Sequence, residues 1–372
     1  MVPKNLRVAI VCDWLLGIGG GERVVLELHR MFPEAPIYTS QYNPSKIDWF
    51  KDADVRTTWL QKLPGGLKKF LPVLRAQAFS RLDLSQYDVV ISATGAEAKG
   101  IRTGPQTKHI CYCFAPTHYY WSRYDQYMKN PGFGAFNWLA RLGLSLLVGP
   151  MRRWDKRAAQ RPDYMISISS HIQKEIKKYY DRESTIIHPP VDTKRFQTSA
   201  AGHQSVASRQ GFVTAGRQTA YKRIDLAVTA CTQLNLHLVV IGNGPEHTRL
   251  VKMAGPTVSF QTSASDSDVA TYFETAEAFI FPGLDDFGIV AVEAMAAGAP
   301  VIAYKAGGAL DYVVEGQTGS FFTDQTNQSL EAALQKFHSA SYRAEIIQEK
   351  AETFDTKQFE HHILDYLSKI VL

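Results

Sequence analysis

AFIFPGLDDFGIVAVEAMAAGAPVIAY, residues 278–304, reads as a strand, a loop, a helix and a second strand. Ala278–Pro282 is a short apolar run closed by proline and glycine, the pattern of a buried strand. The helix expected from about Gly288 stops at Gly298, because glycine readily ends a helix and Pro300 cannot continue one. Val301–Tyr304 then resumes the β-branched pattern. The acidic loop supplies a carboxylate from Asp285 or Asp286, beside Phe287, and the helix supplies Glu293 on its second turn. The N–H groups of Gly288, Ile289 and Val290 open that helix, where its dipole favours negative charge.

The same alternation runs through the chain. Before the quoted stretch, strands are expected at Arg7–Cys12, Ile37–Ser40, Val55–Thr58, Val89–Ser92, His109–Cys113 and Tyr164–Ser167, with helices such as Glu22–Met31 and Gly143–Arg157 between them. Ser184–Phe196 carries two prolines and reads as a strand leading into a linker. The pattern restarts with Phe212–Ala215, Leu236–Ile241 and Val258–Gln261, with helices at Leu226–Gln233 and Ile289–Ala297 and a last one near Lys357–Ile370. Two α/β series imply two Rossmann-like domains facing each other across a cleft. The expected bounds are 1–188, 189–355 and a terminal helix over 356–372 that packs back toward the first domain.

The chain has 372 residues, 45% hydrophobic and 21% charged, with a net charge of +5. This suits phosphates or an anionic membrane surface and is too weak to argue for nucleic acid. Asp13 interrupts the first apolar run, which reads as a strand and not a signal peptide. Leu142–Met151 falls short of the roughly 20 residues that span a bilayer. Cys12, Cys111, Cys113 and Cys231 read as reduced, buried thiols, so a cytoplasmic location is expected.

Two further clusters bear on chemistry. Gly17, Gly19, Gly20 and Gly21 lie between the first strand and its helix, where either a tight turn or an approaching anion explains them. Gly216 and Arg217, with Lys222 and Arg223 shortly after, follow the first strand of the second series, where cations can hold a diphosphate without a metal. Asp266 and Asp268 read as caps of a helix beginning near Val269, with a metal site as the alternative.

Together these stretches resemble the family 4 retaining glycosyltransferases of GT-B fold. GGGERVV, IHPPVDTKRF, GRQTAYKR, IGNGPE, FGIVAVEAMAAGAPVIA and GGALDYVVEGQTGSFF carry the likeness, and the first-half motifs look most like mannosyltransferases of bacterial surface polysaccharides. The resemblance implies a nucleotide diphosphate sugar as donor substrate, GDP-mannose first, with no cofactor or metal. It gives Arg217 and Lys222 the donor diphosphate, Glu293 the ribose hydroxyls, Asp285 the donor sugar and phosphate, and Gly19 and Gly20 closure on the donor. Two positions depart from the pattern. Asp285 stands where the family has Glu, and Phe114 stands where it has a histidine near the sugar's primary hydroxyl.

His118 follows Phe114 by four residues, and Tyr119, Tyr120, Trp121, Tyr124 and Tyr127 read either as an acceptor wall or as core. The acceptor class implied is a saccharide or a polyprenyl-linked one. Phe133–Arg157 joins apolar residues to a basic end (Arg152, Arg153, Lys156, Arg157), and Lys68, Lys69 and Arg75 add charge, so contact with the inner face of a membrane is expected. The alternatives are a nucleotide-sugar 2-epimerase and a catalytically degenerate sugar-nucleotide-binding protein.

Overall fold

The computed structural model describes residues 6–63, 72–129, 137–197 and 209–371. The chain divides into one unit of Met1–His188 with Glu360–Leu372, and a second of Pro189–Phe359. Lys4, Lys68, Lys69, Phe133, Phe136 and most of the Ser/Ala/Gly/Gln-rich stretch 200–210 lie outside the described residues.

Among the described residues the first unit holds seven strands: β1 (Val8–Cys12), β2 (Ile37–Thr39), β3 (Val55–Thr57), β4 (Val89–Thr94), β5 (Lys108–Cys113), β6 (Tyr164–Ser167) and β7 (Thr185–Ile186). They form one parallel sheet in the order β3-β2-β1-β4-β5-β6-β7. Its helices are α1 (Gly20–Met31), α2 (Pro72–Arg81), α3 (Tyr124–Lys129), α4 (Asn137–Ala158) and α5 (Ser170–Tyr180). The second unit pairs β8 (Phe212–Ala215), β9 (Leu238–Ile241), β10 (Val258–Gln261), β11 (Ala278–Phe281), β12 (Val301–Tyr304) and β13 (Gly319–Phe322) in the order β10-β9-β8-β11-β12-β13, again parallel. Its helices are α6 (Ile224–Gln233), α7 (His247–Met253), α8 (Asp266–Thr275), α9 (Ile289–Ala296), α10 (Ala309–Tyr312), α11 (Asn327–Lys336) and α12 (Ala344–Glu352). The chain closes in α13 (Thr356–Val371).

Both strand orders reverse once, between β1 and β4 and between β8 and β11. At such a point the loops leaving two neighbouring strands part to opposite faces, and the crevice between them takes ligands. The second core shows how the sequence builds this. Val228, Cys231, Leu330 and Leu334 from α6 and α11 pack on Leu238, Val240, Ile280 and Ile302 of the strands. Helix α9 is buried from Ala291 to Ala296, and its run of alanines keeps it close to the sheet.

Several edges differ from expectation for local reasons. Strand β4 continues to Thr94 because its ladder with β5 extends to the Thr94–Cys113 pair. Strand β9 starts at Leu238, since the Leu236 N–H turns back to the Cys231 carbonyl. Helix α4 begins at Asn137 and passes through Pro150, whose ring removes the bond to the carbonyl of the exposed Leu146. Helix α8 starts at Asp266, earlier than expected, because its cap is Ser265: the Ser265 hydroxyl accepts from the Asp268 N–H at 3.2 Å, and the Asp268 carboxylate accepts from the Ser265 N–H at 3.0 Å. Asp266 is paired with Arg195.

Candidate active site

In the second unit the expected donor residues collect where β8 and β11 part. The loop after β8 carries Gly216, the exposed Arg217 and Lys222, and the loop after β11 carries Asp285, Asp286 and Phe287. The two loops touch through Gly283, where a Cβ would come within 2.8 Å of the Lys222 carbonyl oxygen. The Lys222 ammonium donates to the Asp285 carboxylate, and both side chains are mostly buried, at 16% and 14% exposure. Burial is the largest effect and pushes the Lys222 ammonium toward release of its proton, but the Asp285 charge and hydrogen bond, with Tyr221 and Asp286, together outweigh it and leave the group above its ordinary range. Lys222 is therefore a held cation at neutral pH.

Helix α9 starts one turn from that pair. Its cap, Gly288, has φ +96°, a backbone that side chains rarely adopt, and as a glycine it brings no capping side chain of its own. The first-turn N–H groups of Ile289 and Val290 have no partner within the helix, which is what a helix start offers to an anion. Glu293 is buried one turn further on. At the other end, Arg209 donates to the Gly298 carbonyl at 2.6 Å and so ties down the helix C-terminus. Arg209 was not anticipated. The Asp285 carbonyl accepts from the Gly308 N–H at 2.9 Å, which brings the Gly307–Gly308 turn against the acidic loop.

The first unit has its own cluster where β1 and β4 part. Asp13, directly after β1 and 7% exposed, accepts from the N–H groups of Gly95, Ala96 and Ala98 at 3.0, 3.1 and 2.9 Å and from the Thr94 hydroxyl at 2.9 Å. It shapes the loop leaving β4. Gly19 is the extended N-cap of α1, Gly20 opens the helix, and Gly21 faces Phe114, whose ring would lie 3.0 Å from a Cβ at Gly21. The structure thus joins the glycine cluster, Phe114 and Asp13's loop, since Gly95 also rests on Phe114. Glu22, in the first turn of α1, has its carboxyl pushed up to about 7, mainly by burial, with its own N–H opposing and the Asp13 charge adding.

Behind this cluster lie two buried ion pairs that sequence reasoning missed. Glu97, fully buried, accepts from Arg75 at 2.8 Å and from Tyr119. Lys99 and Asp155 meet at 2.7 Å, both at most 1% exposed, and Asp155 also accepts from Thr117, Trp121 and Tyr180. Such pairs are tolerated only when every charge is hydrogen-bonded. They correct several expectations. Arg75 is not a surface charge, since it is spent on Glu97 and lies over the Trp14 ring at 4.8 Å. Tyr120 is 2% exposed and packs with Ala76 and Met151, so it offers no face to a sugar. Trp121 stacks on Tyr179 at 5.1 Å and lies under Arg152. Arg152 itself donates to the Tyr120 carbonyl at 2.6 Å and is no free basic residue. His118 is partly exposed and shares a 2.9 Å hydrogen bond with Ser122.

Helix α4 presents large apolar side chains to solvent: Trp138 (63% exposed), Leu146 (68%), Leu139, Leu142 and Leu147. Arg153, Lys156 and Arg157 are exposed nearer its C-terminus. No helix among the described residues is long and apolar enough to cross a membrane.

With this geometry in place, comparison with known proteins decides the family. The profile of Glycosyltransferase Family 4 matches residues 18–195, and that of Glycosyl transferases group 1 matches residues 197–354. The chain belongs to the family 4 glycosyltransferases. Among curated relatives of this glycosyltransferase, a D-inositol 3-phosphate glycosyltransferase of Streptomyces avermitilis is 29% identical over 42% of the chain. A GDP-mannose-dependent alpha-mannosyltransferase of Corynebacterium glutamicum is 32% identical over 35% of it. The matches span only 40% and 33% of those relatives' own lengths. A solved structure of Anabaena HepE in complex with UDP-glucose superposes with a TM-score of 0.69, at 18% identity, over 98% of this chain and 100% of that one. The two parallel Rossmann-like sheets are those of the GT-B fold.

Proposed function

We propose that this glycosyltransferase moves a hexosyl unit from a nucleotide diphosphate sugar to a saccharide or lipid-linked saccharide, with retention at the anomeric carbon, in cell-surface glycan synthesis. The observation that carries the reading is the meeting of Lys222, Asp285 and the glycine-capped start of α9 where β8 and β11 part. Departure of the sugar leaves negative charge on a diphosphate. A held ammonium, the nearby Arg217 and oriented N–H groups stabilise that charge without rearranging at the moment of reaction. Glu293, buried one turn along α9, is suited to ribose hydroxyls. The leaving phosphate oxygen can take the acceptor's proton on the same face, so no separate base is needed. The reaction then runs without a divalent metal and keeps its rate in excess chelator.

Mannose from GDP-mannose is the first donor, supported by the curated name of the Corynebacterium relative. A 6-deoxyhexose stands close behind, because Phe114 puts an apolar ring where the family pattern has a histidine. The α4 face supports work at an anionic membrane surface, apolar residues entering the headgroup region and Arg153, Lys156 and Arg157 meeting charge.

Calorimetric titration with GDP tests the site. Lys222→Ala removes a charge-assisted contact worth about 1.5–3 kcal/mol, so affinity falls at least tenfold. Unchanged affinity in both Arg217→Ala and Lys222→Ala overturns the assignment. Incubation with donor alone separates transfer from epimerisation, which would yield a second sugar nucleotide.

A further inference from the structure

Tyr312 ends α10 and is fully buried, edge-on to Phe287 at 5.6 Å and to Phe354 at 6.3 Å. Its ring belongs to the core, yet its hydroxyl is buried with no hydrogen-bond partner among the described residues. An orphaned polar group in a packed interior is costly, and phenylalanine would fill the same space without it. The hydroxyl lies beneath the cap of α9: a Cβ on Gly288 would stand 2.7 Å from it and 2.6 Å from the Phe281 ring. The same Phe281 ring lies 5.9 Å from the Lys222 ammonium, which the Asp285 carboxylate holds. The cation that Asp285 holds and an idle phenol thus lie at one aromatic ring. The phenol holds its proton far more tightly than usual, first through burial and then through the Asp285 and Asp311 charges, so it stays a donor.

We propose that Tyr312 is a positioning residue that receives Asp285 when a donor diphosphate takes Lys222. The inference rests on the donor-site reading above. Lys222 is paired with Asp285, and the Asp286 charge also acts on it. A diphosphate brings more charge to the same ammonium and leaves Asp285 without a cation and beside an anion. Donation from the Tyr312 O–H then stabilises that carboxylate and ends the orphaned state of the hydroxyl. The hydroxyl therefore gains its partner when the diphosphate binds.

The test uses the full chain, with GDP titrated by calorimetry and melting recorded without ligand. Tyr312→Phe melts at or above the wild-type temperature, because an unsatisfied group is gone, yet binds GDP about five- to tenfold more weakly. Added to Asp285→Ala, the same substitution changes affinity by less than twofold. A Tyr312→Phe variant that binds GDP within twofold of wild type overturns the proposal. So does one that melts well below it, or one whose loss persists in full without Asp285. Lys222→Ala runs alongside. If it binds GDP as wild type does, the donor site itself is misplaced; if it weakens while Tyr312→Phe does not, only the role of Tyr312 falls.

Discussion

Glu22→Gln is expected to change how stability depends on pH. The carboxyl sits in the first turn of α1, where burial raises it from 4.5 to about 7. At about 1.36 kcal/mol per pH unit, that rise corresponds to at most about 3.4 kcal/mol. Glu22 keeps some contact with solvent, so about 1.5–3 kcal/mol is the expected effect. The sign follows from which state lets the proton go. Below pH 4.5 both folded and unfolded chains carry it, and stability is unaffected. Between 4.5 and 7 the unfolded chain releases the proton while the folded chain keeps it, so stability falls as pH rises. Above 7 the penalty is constant. The glutamine variant never ionises, so its advantage over wild type is small at pH 5 and full at pH 8. Urea denaturation at the two pH values measures it, and a melting shift of several degrees is expected at pH 8 only. An equal difference between variant and wild type at both values refutes the reasoning.

Asp13→Asn keeps shape but turns an acceptor of three N–H groups into a group with its own donors. It should lower stability by about 2–4 kcal/mol in denaturant titration, and a loss under about 0.5 kcal/mol would show that the loop leaving β4 holds itself. Phe114→His should raise the ratio of hexose to 6-deoxyhexose transfer, since an unpaired buried hydroxyl costs about 1–3 kcal/mol; an unchanged ratio makes the ring ordinary packing. Binding to anionic vesicles should weaken with salt, with Leu146→Ser and with Arg153→Glu paired with Lys156→Glu, each basic residue contributing about 1 kcal/mol. A protein that remains in the supernatant at low salt has no such surface.

The strand pattern was readable because buried parallel strands leave short β-branched runs between turn residues, and the glycine-marked ends of α9 lie in plain view at Gly288 and Gly298. The gathering of Arg217, Lys222 and Asp285 was readable for the same reason, as these residues sit on two loops that directly follow strands. What escaped notice depended on partners far away in sequence. Asp13 looked only like an interruption of an apolar run, although an acid at a strand's C-terminal end, just before a glycine cluster, is a usable signal. Nothing local announces that Glu97 meets Arg75, or that Lys99 meets Asp155 at a separation of more than fifty residues. The aromatic run at 119–121 was ambiguous because stacking on a sugar and filling a core demand the same rings. Burial settles it for Tyr120, whereas Trp121 is half-buried and stacks on Tyr179.

The division of the chain has a consequence for its birth on the ribosome. The second unit is one continuous stretch, Pro189–Phe359, whereas the first is assembled from two, its later piece being Glu360–Leu372. In that later piece Ile363 and Leu367 are buried, and Tyr366 sets its ring edge-on to Tyr164 at 6.3 Å. Synthesis delivers about 170 intervening residues before these side chains appear, on the order of ten seconds or more at the usual pace. The half that is made first is therefore finished last, and the unit carrying Lys222 and Asp285 has all its parts before its neighbour does.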